Sequence, residues 1–255
     1  HASYVPHEKQ RAIHRSRSRW RNIVAGRRGG KTRAASVEFI RSVYRDLASG
    51  KGRPQTTPEL PPFDRQPALH YWIVGPQSSL YRVPQRYLWQ DLTGEVRSLL
   101  AGNTHVAAQR RAPWPQLWLP GDVLIEFKSG EDPRALVSEG LDGVWLTEAA
   151  RLKEEVWRDN VLLALADRKG WALTDTTPLG QNWFWRDLWN RGDPAHPSCD
   201  GGETENFSWG MADNTAVPAI VAEAERLRHM LTLEQYEREV LGKFAAYHGR
   251  IYRVE

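Results

Sequence analysis

Residues 25–32 bring together the groups that a phosphate-binding loop requires. The segment reads Ala25-Gly26-Arg27-Arg28-Gly29-Gly30-Lys31-Thr32. Backbone N–H groups of such a loop can surround a polyphosphate, the lysine can reach its β- and γ-phosphates, and the threonine hydroxyl can ligate Mg²⁺. We therefore expect an ATP site at Gly26, Arg28, Gly29, Gly30, Lys31 and Thr32, although the first position holds Ala25 instead of glycine.

The elements on both sides of this loop support the same prediction. Ile23-Val24-Ala25 is a short apolar run, and residues 33–40 have the pattern of a helix. A strand, a glycine loop and a helix in this order place the partial positive charge of the helix N-terminus behind the phosphates. The alternative, a glycine-rich turn with a chance Gly-Lys-Thr, does not explain these flanks.

Glu148 is the candidate for positioning and polarising the attacking water. It follows the apolar run Val144-Trp145-Leu146-Thr147, which we expect to form a strand beside the loop strand. An aspartate that bonds the Mg²⁺ shell usually precedes such a glutamate, and Thr147 stands there instead, so a threonine hydroxyl offers at most an indirect metal contact. The alternative for Glu148 is a helix-capping acid before Ala149.

Several single residues and one three-residue motif are further candidates for reading the nucleotide. Arg27 is placed to contact the γ-phosphate in cis, and Arg28 beside it contacts the nucleotide or faces solvent. Arg134 lies in a loop that can present it in trans to a neighbouring subunit or leave it in solvent. Thr176-Thr177-Pro178 follows a strand, expected on the far side of the core, and either senses the γ-phosphate or forms a simple turn. The Gln10 amide can pair with the adenine edge or lie on the surface.

The N-terminal region is basic, since it contains several Lys and Arg residues and no Asp or Glu from Lys9 to Arg33. Arg15, Arg17 and Arg19 lie in its densest part. They indicate either a DNA-binding surface or a solvated helix face that leads into the first strand.

The length of the chain is enough for one large α/β domain or for a domain with a small appendage. The chain has 255 residues, 40% of them hydrophobic, and a formal net charge of +4. Its single cysteine, Cys199, excludes an internal disulfide, and no apolar run reaches the ~20 residues of a membrane span, so we expect a soluble intracellular protein.

Strands alternate with helices until about residue 196, which predicts a mainly parallel central sheet flanked by helices. Residues 1–196 are predicted to form the P-loop core, and residues 197–255 a small α-rich lid followed by the start of a linker.

Several of these motifs, in this order, resemble the N-terminal ATPase domain of the large terminase subunit. The similar segments are Tyr4 to Gln10, Gly26 to Thr32, Val74 to Pro76, Leu141 to Ala150, Thr176 to Phe184 and Tyr236 to Phe244. The resemblance implies a RecA-like P-loop NTPase fold of the additional-strand, catalytic-glutamate (ASCE) class with a lid subdomain. It implies a cis arginine matching Arg27, a trans arginine finger for which Arg134 is the nearest candidate, and a coupling motif matching Thr176, Thr177 and Pro178.

The resemblance also implies a function and partners. Large terminases use ATP and Mg²⁺ to package double-stranded DNA into viral procapsids. They form a ring on the portal protein in the infected host cell, and a small terminase subunit recognises the DNA. A nuclease domain normally follows, but its carboxylates are not found here, so we expect ATP hydrolysis without DNA cleavage. A nucleotide-dependent assembly module with little hydrolysis is the alternative that Thr147 favours, whereas a superfamily 2 helicase would require a second RecA-like core.

Overall fold

The computed structural model describes residues 4–54, 58–93, 108–110, 115–137 and 140–244. Within them, eight strands form one sheet in the order β3-β4-β5-β2-β6-β7-β1-β8. The strands are β1 (Trp20–Ala25), β2 (Leu69–Gly75), β3 (Ala108–Arg110), β4 (Gln116–Leu119), β5 (Val123–Ser129), β6 (Gly143–Thr147), β7 (Trp171–Thr176) and β8 (Thr204–Trp209).

The sheet is mainly parallel, as the sequence predicts. The strands from β5 to β8 in the sheet order all pair in parallel, and β3 and β4 extend one edge in antiparallel orientation. Two apolar segments around the turn Pro120-Gly121 predict a hairpin of residues 116–119 and 122–127, and β4 and β5 confirm it. Every residue of β1, β2, β6 and β7 is buried, which is typical of parallel strands covered on both faces.

Helices cover both faces of this sheet. The α-helices of the described residues are α1 (Glu8–Arg15), α2 (Lys31–Ala48), α3 (Ser78–Thr93), α4 (Leu162–Ala166), α5 (Pro218–Leu227) and α6 (Leu233–Glu239), of which α5 and α6 lie apart from the two sheet-facing cores; a wide π-type turn over Val156–Val161 precedes α4. One hydrophobic core joins α2 and α3 to the sheet through residues such as Phe39 and Leu88. A second core on the opposite face includes Val156 and Phe184. The α/β class with a helix-covered sheet is therefore confirmed.

Two helices can be compared with the sequence at their ends. The apolar spacing of residues 82–100 predicts a helix, and α3 begins earlier, at Ser78, and is described only to Thr93, so the rest of the predicted range lies outside the described residues. Thr232 is a predicted helix N-cap, and this prediction is confirmed, because the Thr232 side chain accepts a hydrogen bond from Gln235 N at 3.2 Å.

The strand order corrects two expectations about the site. β6, which leads to Glu148, does not lie beside β1, because β7 is inserted between them. Consequently, the strand before Thr176 is not on the far side of the core and pairs directly with β1. Hydrophobic patterning indicates β1, β6 and β7, but strand order depends on long-range pairing that the local pattern does not encode.

The sheet continues beyond the boundary predicted at residue 196. β8 pairs in parallel with β1 from Trp20↔Thr204 to Ala25↔Trp209 and so extends the core sheet. The helical part of the predicted lid, α5 and α6, follows this strand and packs around a small separate cluster that includes Met211, Ala224 and Val240. Among the described residues, no helix has the length and apolar character needed to cross a membrane.

Candidate functional site

The predicted phosphate loop lies at the edge of the sheet where the parallel strands end. It connects β1 to α2, and α2 begins at Lys31 directly after Gly30, whose φ of +80° places it in the left-handed region. Glycine adopts this conformation without a Cβ penalty. The N-terminus of α2 and its N–H groups therefore face the crevice where parallel α/β sheets bind their ligands.

Glu148 meets Lys31 at this edge. The Lys31 Nζ lies 3.0 Å from Glu148 Oε1, and Arg151 Nε is a more distant partner at 3.9 Å from Glu148 Oε2. Glu148 itself has a φ of +49°, a conformation that costs a non-glycine residue energy and often occurs at functional sites. The structure thus brings together the loop lysine and the candidate catalytic acid.

Asp175, at the C-terminal end of β7, is a third charged group in the site. Its side chain is 0% exposed; Thr32 Oγ1 donates to Asp175 Oδ2 at 2.9 Å, and Trp145 Nε1 donates to Asp175 Oδ1 at 2.8 Å. Burial raises the pKa of Asp175 to about 6, which the positive charge of Lys31 opposes and the negative charge of Glu148 reinforces. A carboxylate therefore lies against the hydroxyl that is expected to ligate Mg²⁺.

Asp175 is a site residue that the sequence motifs did not predict. It immediately precedes the Thr176-Thr177-Pro178 motif but is far from Thr32 in sequence, and the interpretation of β7 as a peripheral strand separated the two. The available signal was an acid within a fully buried strand, since buried acids are rarely found without a specific role or partner.

Thr147 lies next to Asp175 in the sheet. The two residues are register partners of β6 and β7, and Thr147 is 2% exposed. The predicted indirect metal contact of Thr147 stays a prediction. Oxygen groups suit Mg²⁺, which is commonly held by one or two protein groups together with substrate phosphates, so the hydroxyl of Thr32 beside the Asp175 carboxylate fits this ion. In the described part of the chain, no cluster of three or more His, Cys, Asp or Glu side chains forms a larger metal centre.

The predicted coupling residues connect β7 to the segment that follows Glu148. Thr176 Oγ1 accepts a hydrogen bond from Ala150 N at 3.2 Å and donates to Thr177 O at 3.0 Å. Thr176, Thr177 and Pro178 are all buried. Asn182 adds a second connection, because its Nδ2 donates to Ala150 O at 2.6 Å. These hydrogen bonds join the two segments, and the coupling role of Thr176, Thr177 and Pro178 stays a prediction.

Arg27 and Arg28 both lie on the exposed side of the loop. The Arg27 guanidinium forms an ion pair with Glu239 of α6, and its side chain is 58% exposed. Burial tends to raise the pKa of Glu239, but the hydrogen bond and charge of Arg27 outweigh this and lower it. Arg28 is exposed at a φ of +60°, and its carbonyl accepts from Asn214 Nδ2 at 2.7 Å. The γ-phosphate contact of Arg27 and the ATP contact of Arg28 stay predictions.

Gln10 is 4% exposed, so the surface alternative for this residue is wrong. Its Nε2 donates to Gly30 O at 3.2 Å, and its Oε1 accepts from His7 N at 3.1 Å. The amide thereby ties α1 to the phosphate loop. Its contact with adenine stays a prediction.

Arg134 is almost fully exposed, with a side-chain exposure of 91%. Its guanidinium pairs with Asp132, two residues away, at 3.1 Å. The structure gives it no contact with Lys31 or Glu148, so within the described residues it does not join the site in cis. A role in trans stays a prediction.

The basic N-terminal residues do not share one helix face. α1 ends at Arg15, which pairs with Glu8, while Arg17 bonds the Ser16 carbonyl and Arg19 pairs with Glu203. The helix-face alternative is therefore wrong for Arg17 and Arg19. DNA binding by this region stays a prediction.

Similar proteins were found among curated sequences and solved structures, whereas no family model matches the chain. The large terminase subunit of Thermus phage G20c is 30% identical over 182 residues, which are 71% of this chain and 36% of that protein. The chain thus spans about a third of the length of this relative.

Solved structures have the same fold over nearly the whole chain. The large terminase ATPase domain of Thermus phage P74-26 is 26% identical, with 95% of each chain covered and a TM-score of 0.67. A large terminase of a thermophilic bacteriophage, solved in complex with ADP, is 15% identical, with 94% of this chain and 54% of that chain covered and a TM-score of 0.64. At this identity, the second likeness concerns the fold alone.

Proposed function

The chain belongs to the family of large terminase subunits and corresponds to their ATPase domain, and we propose that it hydrolyses ATP to move double-stranded DNA into a viral procapsid. The observation that carries this proposal is the contact between Lys31 and Glu148 at 3.0 Å. This contact supports the assignment of Glu148 as the water-activating acid, because Lys31 belongs to the loop that would hold the γ-phosphate.

Binding of ATP would begin at the phosphate loop. The N–H groups at the start of α2 and the helix dipole favour the triphosphate, and Lys31 neutralises its outer phosphates. Lys31 is already paired with Glu148, so the incoming γ-phosphate competes with this carboxylate for the ammonium group. Nucleotide binding would therefore exchange one anionic partner of Lys31 for another.

This exchange would release Glu148 for its role in hydrolysis. A carboxylate freed from its cation can accept a hydrogen bond from water and orient it for in-line attack on the γ-phosphate. Glu148 is held at the end of β6, so its position is set by the rigid sheet. Bound Mg²⁺ would neutralise charge that develops on the phosphates, and Thr32 is the residue that would hold it.

Hydrolysis would be communicated to the rest of the chain by two connections. Thr176 joins β7 to the backbone after Glu148 through Ala150 N, at 3.2 Å. The ion pair of Arg27 with Glu239 and the hydrogen bond from Arg27 N to Glu239 O, at 2.7 Å, join the loop to α6. Loss of the γ-phosphate would thus alter contacts both in the sheet and in the predicted lid.

DNA translocation requires partners beyond this chain. We propose a homo-oligomeric ring on the portal protein of the procapsid, in the cytoplasm of the infected host cell, with a small terminase subunit that selects the DNA. The exposed Arg134 would act on the nucleotide of a neighbouring subunit, and Arg15, Arg17 and Arg19 would contribute to DNA contact through phosphate charges.

The test measures ATP binding and phosphate release by the wild-type chain, Glu148→Gln and the control Glu155→Gln. Glu155 is an exposed acid in the same segment, outside the site. We expect Glu148→Gln to bind ATP at least as tightly as the wild type, because Lys31 loses its competing partner, and to lose turnover by about 10²–10⁴-fold. Glu155→Gln should match the wild type. Equal turnover in all three proteins contradicts the role of Glu148.

The rate of ATP turnover by the wild type in the assembled motor distinguishes the proposed motor from the assembly-module alternative. With procapsids, portal and double-stranded DNA, we expect ATP turnover to rise and DNA to become protected from nuclease, and Glu148→Gln to abolish both effects. ATP-dependent assembly with no turnover above that of Glu148→Gln would instead favour the assembly module.

A further inference from the structure

Asp175 differs from the other buried acids in the part of the chain that the structure describes. Five acidic residues are buried there, and four of them form ion pairs with a basic side chain. These pairs are Glu38 with Arg21, Asp91 with Arg33, Glu126 with Lys128 and Asp142 with Arg168. Asp175 has only two hydrogen bonds, and both donors, the Thr32 hydroxyl and the Trp145 indole, are neutral.

Burial of a carboxylate without a bonded cation is costly. The nearest basic group in the site, Lys31, is directly paired with Glu148 and not with Asp175. The group formed by Lys31, Glu148 and Asp175 therefore has a net negative charge that a bound cation can compensate. This cation would lie where the phosphate loop ends.

The hydrogen bond between Thr32 and Asp175 also determines what the threonine hydroxyl can do. An ionised carboxylate only accepts hydrogen bonds, so Thr32 Oγ1 must donate its proton to Asp175 Oδ2 across the 2.9 Å contact. The hydroxyl oxygen then keeps its lone pairs for another partner. Trp145 holds the other carboxylate oxygen at 2.8 Å and fixes the orientation of the group.

We propose that Asp175 is the positioning residue that holds the Thr32 hydroxyl for Mg²⁺ and supplies the negative charge that Thr147 lacks. This inference rests on the proposed ATP binding. β7 lies between β1 and β6, so Asp175 is one strand spacing, about 4.8 Å, closer to the loop strand than Thr147. The carboxylate of the metal site has thus been relocated to the neighbouring strand.

The test compares nucleotide affinity with and without metal. A non-hydrolysable ATP analogue is titrated by calorimetry into the wild type and Asp175→Asn, in EDTA and in Mg²⁺. Free Mn²⁺ is followed by electron paramagnetic resonance in parallel titrations, which reads metal binding without turnover. Asp159→Asn, at an exposed acid outside the site, is the matched control. Asp175→Asn combined with Thr147→Asp returns a carboxylate to the adjacent strand and is the rescue variant.

In EDTA, we expect Asp175→Asn to bind the ATP analogue as tightly as the wild type does. The increase in affinity that Mg²⁺ produces should be about 10–100-fold smaller in Asp175→Asn, as is usual when a group behind a metal ligand is removed. The rescue variant should recover most of this gain, and Asp159→Asn should equal the wild type. A wild-type metal response in Asp175→Asn overturns the inference. The inference is also overturned if Asp175→Asn loses the same affinity for the ATP analogue in EDTA and in Mg²⁺ and Thr147→Asp does not restore it. That result would indicate a structural role for Asp175. If the wild type itself binds no nucleotide, the proposed function fails first.

Discussion

Gly26 lies where the phosphate loop meets the segment after α6, and it offers a sharp test of their packing. Gly26 N donates to Trp209 O at 3.0 Å, and Arg27 N donates to Glu239 O at 2.7 Å. A Cβ added at Gly26 would lie 2.2 Å from Val240 O and 2.8 Å from Val240 C. Both obstructing atoms are backbone, so Gly26→Ala must displace the loop or this segment.

The size of the displacement follows from these distances. A carbon atom and a carbonyl oxygen approach to about 3.3 Å, so the two segments must separate by about 1 Å. The same movement would extend the Arg27–Glu239 backbone bond well beyond hydrogen-bonding range. Strain of about 1–3 kcal/mol and the loss of a hydrogen bond of about 1 kcal/mol together predict that Gly26→Ala destabilises the protein by about 2–4 kcal/mol.

Urea unfolding followed by tryptophan fluorescence measures this change, and calorimetry measures ATP affinity. Gly50→Ala is the control, because Gly50 has a φ of +73° but nothing within 4 Å of its added Cβ. It should cost only the left-handed strain of about 1–2 kcal/mol and leave ATP affinity unchanged. If Gly26→Ala is no more destabilising than Gly50→Ala and binds ATP normally, the proposed packing of the loop is refuted.

Three other predictions concern charged groups. Burial tends to raise the pKa of Glu126, but the hydrogen bond from His70 and the charge of Lys128 outweigh it, so the folded-state pKa lies below its usual value of 4.5. Glu126 therefore stabilises the folded state above about pH 4.5, and this stabilisation is lost as the pH falls. In urea unfolding, Glu126→Gln should destabilise the protein by roughly 3–5 kcal/mol at pH 7 and by steadily less toward pH 2. A destabilisation that does not change with pH would contradict this. Arg134→Ala should keep ATP affinity and lose turnover only in the assembled ring, whereas lost affinity in the isolated chain would indicate a cis role. Replacing Arg15, Arg17 and Arg19 with alanine should weaken DNA binding irrespective of sequence and flatten its logarithmic salt dependence by up to about 3, and an unchanged slope would exclude this surface.

The residues of the phosphate loop could be predicted because their chemistry is local. Gly26 to Thr32 are contiguous, and the flanking strand and helix are visible in hydrophobic patterning. Glu148 could be predicted for the same reason, since it directly follows a buried strand. These residues lie at the end of the sheet where the sequence places them.

Asp175 could not be assigned because its role depends on which strands are neighbours. Its partners, Thr32 and Trp145, are distant in sequence, and only the insertion of β7 between β1 and β6 brings them together. The same limitation affected Gln10, whose burial results from the packing of α1 on the phosphate loop. A surface position was equally compatible with its sequence context.

A crystal structure with Mg²⁺ and a transition-state mimic of ATP tests the nucleotide site most directly. We predict phosphates within residues 26–32, Lys31 moved from Glu148 to the γ-position, and Glu148 bonded to the water that faces the phosphate mimic. A nucleotide bound elsewhere, or Glu148 still paired with Lys31 while the γ-position is filled, would contradict the proposed ATPase mechanism.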